Sequence, residues 1–474
     1  MKKLRRKCLL LLIAVLLLGV VSPGMVMGAA AVADDLDNGC ISLDAGKPLS
    51  GADKLLDTAK AAILYELESQ TLVYAWNPDQ RVDPSGMNKL LTALIALEET
   101  EPDTIVTVTR AALNSVAIGS VSANLKSGEE ISMRDLLYCM MVGSANDAAA
   151  VIAEYVGGSQ EAFVEMMNRR AEQLGCTDTM FLNPNGLTHK DQYTTARDLA
   201  KITAVALENE LFNQMFCAES YTVPATNKAK ERRVVTTNYL LSKETVKTQY
   251  DSRVTGGKTG ALTTTDRSLI CTAEYNGKRY LSVVMSAKGT VNEDGISVKT
   301  FGSFEETRAL LDYGFGQYAM RQVLQAGKVL KQLSVKGGEN DVSVGPGVTL
   351  HAALPLDAVA EDITYRCVFS QDQVSAPVKK GQKIGTAQVW FRDICVGSTD
   401  LVAMHDVYED GAHIKELIPQ AERSTDDEAS DWLVLIGLAL VAAVVIGAVV
   451  LWIVWAVRKH RMKKRHRLIN GGDG

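Results

Sequence analysis

Gly256-Gly257-Lys258-Thr259-Gly260-Ala261 is the stretch on which the fold reading turns. Small residues surround one lysine and one threonine, just upstream of two apolar runs, Leu269–Ala273 and Arg279–Ser286. Asn276-Gly277 joins those runs, which is the signature of a β-hairpin. Working toward the N-terminus, Gly143-Ser144-Ala145-Asn146-Asp147-Ala148-Ala149 is a second small-residue cluster, and Pro84-Ser85-Gly86-Met87-Asn88-Lys89 a third. Each is weak alone; the Ser-x-Asn pattern occurs again at Ser122-Ala123-Asn124. Their order and context make the set informative. Met87, Leu90, Leu91, Leu94 and Ile95 recur at helical spacing behind Pro84, a residue common at helix starts. Ala62–Ala75 holds two apolar runs around Glu68-Ser69-Gln70, a further hairpin. Met133–Ala153 and Ala162–Leu174 read as helices, and Asn183-Pro184-Asn185-Gly186 as a turn. Glu305–Tyr313 reads as a closing helix stopped by Gly314. Beyond Gly327, short alternating segments punctuated by glycine predict a small all-β domain over Lys328–Val407.

The ends of the chain differ from its body. Five basic residues precede an apolar run, Leu9–Val21, and Ala31-Val32-Ala33 fits a cleavage site, so 1–33 reads as a secretory signal. Trp432–Val457 carries no charge and is long enough to span a bilayer, with tryptophans near both edges. Seven basic residues follow it between Arg458 and Arg467, which places the tail on the cytoplasmic side and the body outside the cell membrane. That basic run reads as a topology signal rather than a docking segment for an intracellular partner. Of 50 Lys+Arg and 56 Asp+Glu, the body keeps 50 − 12 = 38 and 56 − 1 = 55, a balance of about −17. An acidic body argues against nucleic acid as a partner, because phosphate binding needs a basic face. Eight scattered cysteines with no CxxC pair argue against a disulfide framework but leave room for one bridge. The six histidines show no metal-ligand spacing, and neither a metal nor a cofactor is expected. The domain reading is therefore 1–33 signal, 34–326 main domain, 327–412 β-domain, 413–431 linker, 432–457 transmembrane helix and 458–474 tail.

Together, Lys89, Ser144-Ala145-Asn146 and Lys258-Thr259-Gly260 resemble the S-x-x-K, S-x-N and K-T-G signature of the serine penicillin-recognising enzymes. The closer resemblance is to the D-alanyl-D-alanine carboxypeptidases, the low-molecular-mass penicillin-binding proteins, and it covers nearly the whole body. Tyr65–Asn77, Phe181–Leu187, Tyr193–Ala200 and Val378–Gly385 share it. The resemblance implies an α/β fold of the β-lactamase/transpeptidase kind: an antiparallel sheet with flanking helices, here with a small all-β C-terminal domain and one transmembrane helix. It implies action on peptidoglycan stem peptides, and β-lactams as further ligands. Lys89 would be the base, its pKa lowered by desolvation and by a second cation, Lys258. Ser144 would relay a proton to the leaving amine, and Asn146 would bind the substrate amide. Lys258, Thr259 and Gly260 would form the wall that holds the terminal carboxylate, and the Ala261 N–H would help bind the oxyanion. Ser144 is also compatible with a helix N-cap, and Arg197 and Asp198 read as structural.

One departure bears on activity. The family pattern places serine three residues before the lysine, where this chain has Gly86. Three readings stand. The chain is a catalytically silent homologue that binds stem peptide as a sensor or scaffold; or Ser85, four residues before Lys89 and also tenable as an N-cap, is a displaced nucleophile; or Lys89 activates water directly. A one-residue shift turns a helical side chain by about 100° and moves it about 1.5 Å, which weighs against Ser85. A β-lactamase is a further possibility, against which the β-domain and membrane anchor favour work on the wall.

Overall fold

The computed structural model describes residues 55–294, 298–371 and 373–410, together with Leu43, Pro48, Leu49 and Trp452. The expected signal and basic tail fall outside the described residues, as does the expected span apart from Trp452. Among the described residues no helix is long and apolar enough to cross a membrane. The chain divides into two compact units, Met1–Lys331 with Ser343–Asp372 and Gly381–Met404, and Gln332–Val342 with Gln373–Lys380 and His405–Gly474.

A five-stranded antiparallel sheet organises the first unit. Its strands are Ala61–Glu66 (β1), Thr71–Trp76 (β2), Val254–Ala261 (β3), Asp266–Tyr275 (β4) and Lys278–Lys288 (β5), in the order β2-β1-β5-β4-β3. The opening hairpin joins the sheet through β1, whose register on β5 runs from Ala61 opposite Met285 to Glu66 opposite Tyr280. Asn276 and Gly277 both take positive φ between β4 and β5, which a two-residue turn of the observed hand requires. The Lys258-Thr259-Gly260 motif lies on β3, with Lys258 opposite Ile270 of β4. Because β3 is an edge strand, its free side is open to the helices that bring the other motifs.

The helices that matter are Asn88–Glu99 (α1), Met133–Met141 (α2), Asn146–Gly157 (α3), Gln160–Gln173 (α4), Ala196–Ala206 (α5) and Gly302–Gln317 (α6). Nearly every position of β5 is buried, so both sheet faces are covered, and α5 and α6 each pack on that strand. Every residue from Asn88 to Ala96 is buried, which makes that part of α1 a central helix with no solvent-exposed face. Arg197 pairs with Asp79 at 2.6 Å, and Asp198 accepts from the Thr179 hydroxyl at 2.7 Å and the Asp178 N–H at 3.0 Å, both structural roles.

Two expectations need correction. The helix read over Met133–Ala153 is two helices, broken at Val142–Ala145, where Ser144 takes φ 58 and the Ala145 N–H bonds back to the Cys139 carbonyl. The closing helix does not stop at Gly314 but runs to Gln317. Gly314 serves packing: a Cβ there would lie 2.6 Å from Leu64 Cδ2 and 3.0 Å from Tyr280, so glycine lets α6 approach the sheet.

Farther along the chain, Val342–Pro346, Ile394–Ala403, Lys383–Phe391 and Ile363–Phe369 are antiparallel neighbours in that order. Tyr318–Leu324 pairs with Leu350–Pro355. Cys139, Cys176, Cys217, Cys271 and Cys367 are reduced cysteines outside any disulfide, while Cys395 is disulfide-bonded.

Candidate active site

The site forms where the start of α1, the α2–α3 break and β3 converge. Pro84 leads into a single 3-10 turn, Ser85–Met87, which runs directly into α1. This turn packs on β3. The approach is very close: a Cβ on Gly260 would lie 2.1 Å from Ser85 Oγ and 3.1 Å from the Gly86 nitrogen. The glycine of the Lys-Thr-Gly motif is therefore a steric requirement. From the other side Gly186, at φ +78, comes so near that a Cβ would lie 1.6 Å from the Ser85 carbonyl oxygen.

Lys89 and Lys258 are both buried, at 2% and 0% exposure. Lys258 Nζ donates to Ser144 Oγ and to the Thr259 carbonyl, each at 2.8 Å. Lys89 Nζ donates to the Asn185 carbonyl. Burial, and then the charge of Lys258, holds the Lys89 amine well below the ordinary lysine range. Burial pushes Lys258 down to about 7. A neutral amine at Lys89 still donates one N–H to Asn185 and keeps a lone pair free to take a proton.

Gly86 faces Lys258. A Cβ placed on it would lie 3.9 Å from Lys258 Nζ, 3.1 Å from the Thr259 carbonyl oxygen and 3.4 Å from Gly260 Cα. The direction a nucleophile would take is thus toward Lys258, and glycine offers no atom there. Ser85 points elsewhere. Its φ is 47, its N–H bonds Asp83 at 2.7 Å, and its buried hydroxyl has no hydrogen-bond partner. Neither Ser85 nor Ser144 caps a helix: Pro84 precedes the 3-10 turn and Ala145 precedes α3, neither with a side-chain cap.

The remaining candidates fall around this centre. Asn146 opens α3 at 7% exposure, with its N–H on the Val121 carbonyl at 2.8 Å. The second Ser-x-Asn match lies on the same side: Ser122 Oγ and the Ala123 N–H both bond Asp147, at 2.6 and 2.8 Å. It is a loop anchor. Thr259 is buried and Ala261 ends β3 exposed. Sequence reasoning missed two participants. Asn185 was visible only as a turn residue, yet its backbone carbonyl receives Lys89. The Asn183–Gly186 turn is also tied to α1 by Asn88, which donates to the Asn183 carbonyl at 2.7 Å, and by Thr92, which donates to the Pro184 carbonyl at 2.8 Å. Thr237, whose hydroxyl pairs with that of Thr259, carried no motif signal.

Comparison with known proteins agrees with this geometry. A D-alanyl-D-alanine carboxypeptidase family profile, Peptidase S11, matches residues 51–289, half of the chain, and the C-terminal domain profile of penicillin-binding protein 5 matches 318–409. The chain is 28% identical over 340 residues to the D-alanyl-D-alanine carboxypeptidase DacF of Bacillus subtilis, covering 70% of this chain and 82% of the relative. It is 29% identical over 364 residues to DacC of Escherichia coli, covering 74% and 85%. The crystal structure of penicillin-binding protein 5 from Haemophilus influenzae superimposes with a TM-score of 0.61 at 28% identity, covering 76% of this chain and all of that one. With an antiparallel sheet flanked by helices, a following β-domain and the three motifs gathered at one edge, the chain belongs to the D-alanyl-D-alanine carboxypeptidase family, the low-molecular-mass penicillin-binding proteins.

Proposed function

We propose that this chain is a carboxypeptidase-like receptor that binds the D-alanyl-D-alanine end of peptidoglycan stem peptides without cleaving them, as a sensor or scaffold of the cell wall. The observation that carries this reading is the pairing of Gly86 with an otherwise furnished pocket. The two lysines, Ser144, Asn146 and Thr259 stand around the place where a substrate would lie, and the side chain that would form the acyl-enzyme is missing. Ser85 makes a poor substitute, since its hydroxyl has no hydrogen bond to either lysine and lies against Gly260. A nucleophile needs its base within hydrogen-bond reach, and sites tolerate errors of only about 0.5 Å. The Trp432–Val457 run and the basic tail behind it support a single-pass anchor in the cell membrane with the body on the wall side.

Three measurements on the purified full chain test the reading. Calorimetry with a short peptide ending in D-Ala-D-Ala should show binding, and chromatography of the same mixture should show no released D-alanine. Fluorescent penicillin should leave no covalent label on the wild-type chain. Label that disappears in Ser85→Ala would instead establish the displaced nucleophile. Released D-alanine that survives Ser85→Ala and is lost in Lys89→Met would establish the water mechanism.

A further inference from the structure

The strand Ile363–Phe369 lies at the edge of its sheet and leaves one face open: Thr364, Arg366 and Val368 are all exposed. Residues directly opposite one another in a sheet share a face. The register sets Arg366 opposite Gln388, and Gln388 opposite Ser398, so a polar row crosses three strands. Trp390 joins this row. Its indole N–H donates to Gln388 Oε1 at 3.3 Å, and the Arg366 guanidinium lies over its ring at 3.8 Å. Gln388 keeps two amide N–H donors, and Arg366 brings its fork of guanidinium donors. Trp390 is half-buried, an amphipathic ring fixed on an open sheet face.

Ser398 carries the row into a cavity of about 470 Å3. Glu68 and Gln70 of the opening hairpin line it, with Met320, Leu350 and His351. Row and cavity belong to the first compact unit, and no residue of the three motifs contributes to either. The volume is that of a small-ligand site, about 300–1,000 Å3. Charge narrows the ligand class. Among the described residues no lysine or arginine lines the cavity, Glu68 is its one carboxylate, and the row supplies one guanidinium. On an acidic body this is a nearly balanced surface, which fits an uncharged polar ligand. Met320 and Leu350 offer apolar contact to a methyl group, while the amides and hydroxyls offer hydrogen bonds. Length narrows it further: the row spans two interstrand spacings, about 10 Å, before the cavity begins, so the ligand is an extended oligomer. From this we infer that row and cavity form one site for an uncharged glycan of N-acetylated amino sugars. Sugar rings lie along Trp390, Arg366 and Gln388, and an acetamido group enters the cavity past Ser398. The site goes beyond the receptor reading and holds whether or not the motif pocket binds stem peptide.

The test is calorimetry on the full chain with chitotetraose, with cellotetraose, which lacks the acetamido groups, and with a D-Ala-D-Ala peptide. Wild type should bind chitotetraose in preference to cellotetraose. Gln388→Leu should weaken chitotetraose by about fivefold, the worth of one net hydrogen bond. Trp390→Ala should weaken it by about tenfold or more, as loss of an aromatic anchor does. Ser398→Trp, which places an indole where the row meets the cavity, should abolish it. Each variant should melt near wild type and keep the wild-type response to the peptide; should Trp390→Ala fail to fold, the other two variants decide. No heat from wild type with chitotetraose would overturn the inference, as would wild-type affinity in both Gln388→Leu and Ser398→Trp. Equal binding of cellotetraose would overturn the amino-sugar assignment. A wild type that takes the glycan but not the peptide would sink the receptor reading alone.

Discussion

Gly86→Ser asks whether the pocket is disarmed or dismantled, and the structure sets what should happen. The Cβ of an L-residue at this position would point at Lys258 Nζ from 3.9 Å. A hydroxyl lies a further bond of about 1.4 Å beyond it, so in a suitable rotamer it comes within hydrogen-bond reach of Lys258 Nζ. The obstacle is steric. Contacts of 3.1 Å to the Thr259 carbonyl and 3.4 Å to Gly260 Cα mean that β3 must give by a few tenths of an ångström. Over-packing of this kind costs about 1–3 kcal/mol. Replacing glycine at a φ that serine accepts returns roughly 0.4–1 kcal/mol through the unfolded chain. The net expectation is a loss of about 1 kcal/mol, which lowers the melting temperature by roughly 2–4 °C. Lys89, whose amine burial holds well below the ordinary lysine range, is the base expected to take the proton of the introduced hydroxyl as its oxygen attacks the β-lactam carbonyl. As the ring C–N bond opens, Ser144, bonded to Lys258, is placed to pass a proton to the leaving nitrogen. The assay is fluorescent penicillin followed by denaturing gel and intact mass, with Lys89→Met in the Gly86→Ser background as control. Covalent label on Gly86→Ser that Lys89→Met removes is the expected result. A folded Gly86→Ser protein that takes no label at any antibiotic concentration would refute the claim that everything but the nucleophile is in place.

Further outcomes are open to measurement. Lys258 titrates at about 7 in the folded chain against about 10.4 unfolded. Between those values the unfolded state holds more protons, so stability should rise with pH from 7 upward by up to about 1.4 kcal/mol per unit. Urea unfolding near pH 7 and pH 8.5 reads this slope, Lys258→Met should reduce it, and an unreduced slope in that variant would contradict the assignment. Over the same range binding of a carboxylate ligand should weaken as the free-state ammonium is lost; calorimetry showing tighter binding at the higher pH would count against Lys258 as its partner. Ser85→Gly should stabilise by about 1 kcal/mol, because a left-handed φ favours glycine and the lost hydroxyl makes no hydrogen bond; a shift to lower urea midpoint would overturn that. Gly186→Ala should lose more than about 3 kcal/mol or fail to fold, since the new methyl meets the Ser85 carbonyl; circular dichroism of a soluble, wild-type-like melt would show the close approach to be wrong.

Much of the fold is legible in the sequence because periodicity and turn chemistry are local. The opening hairpin, α1, and the β4–β5 hairpin with its Asn276-Gly277 turn all occur where alternation, helical spacing and glycine place them. Gly314 misleads for a physical reason: a glycine that ends a helix and one that lets a helix press on a sheet look the same in one dimension. The split between α2 and α3 is hidden in the same way, since Gly143-Ser144-Ala145 is compatible with helix until Lys258, more than a hundred residues later, meets the Ser144 hydroxyl. The motif residues Lys89, Ser144, Asn146, Lys258 and Thr259 could be named because each belongs to a short pattern. Asn185 contributes a backbone carbonyl, which no side-chain pattern reveals, and Thr237 meets Thr259 through one hydroxyl that belongs to no short motif.

The ties that shape the pocket have a consequence for how such a protein arises. Lys89 is moored to Asn185, Lys258 to Ser144 and to Thr259, and Thr259 to Thr237, so no polar contact runs through the side chain at position 86. The polar framework of the pocket does not depend on the residue that would do the chemistry. A catalyst of this fold can therefore lose its reactive atom in one step while its recognition surface persists, and the intermediate between enzyme and receptor is a stable protein rather than a broken one.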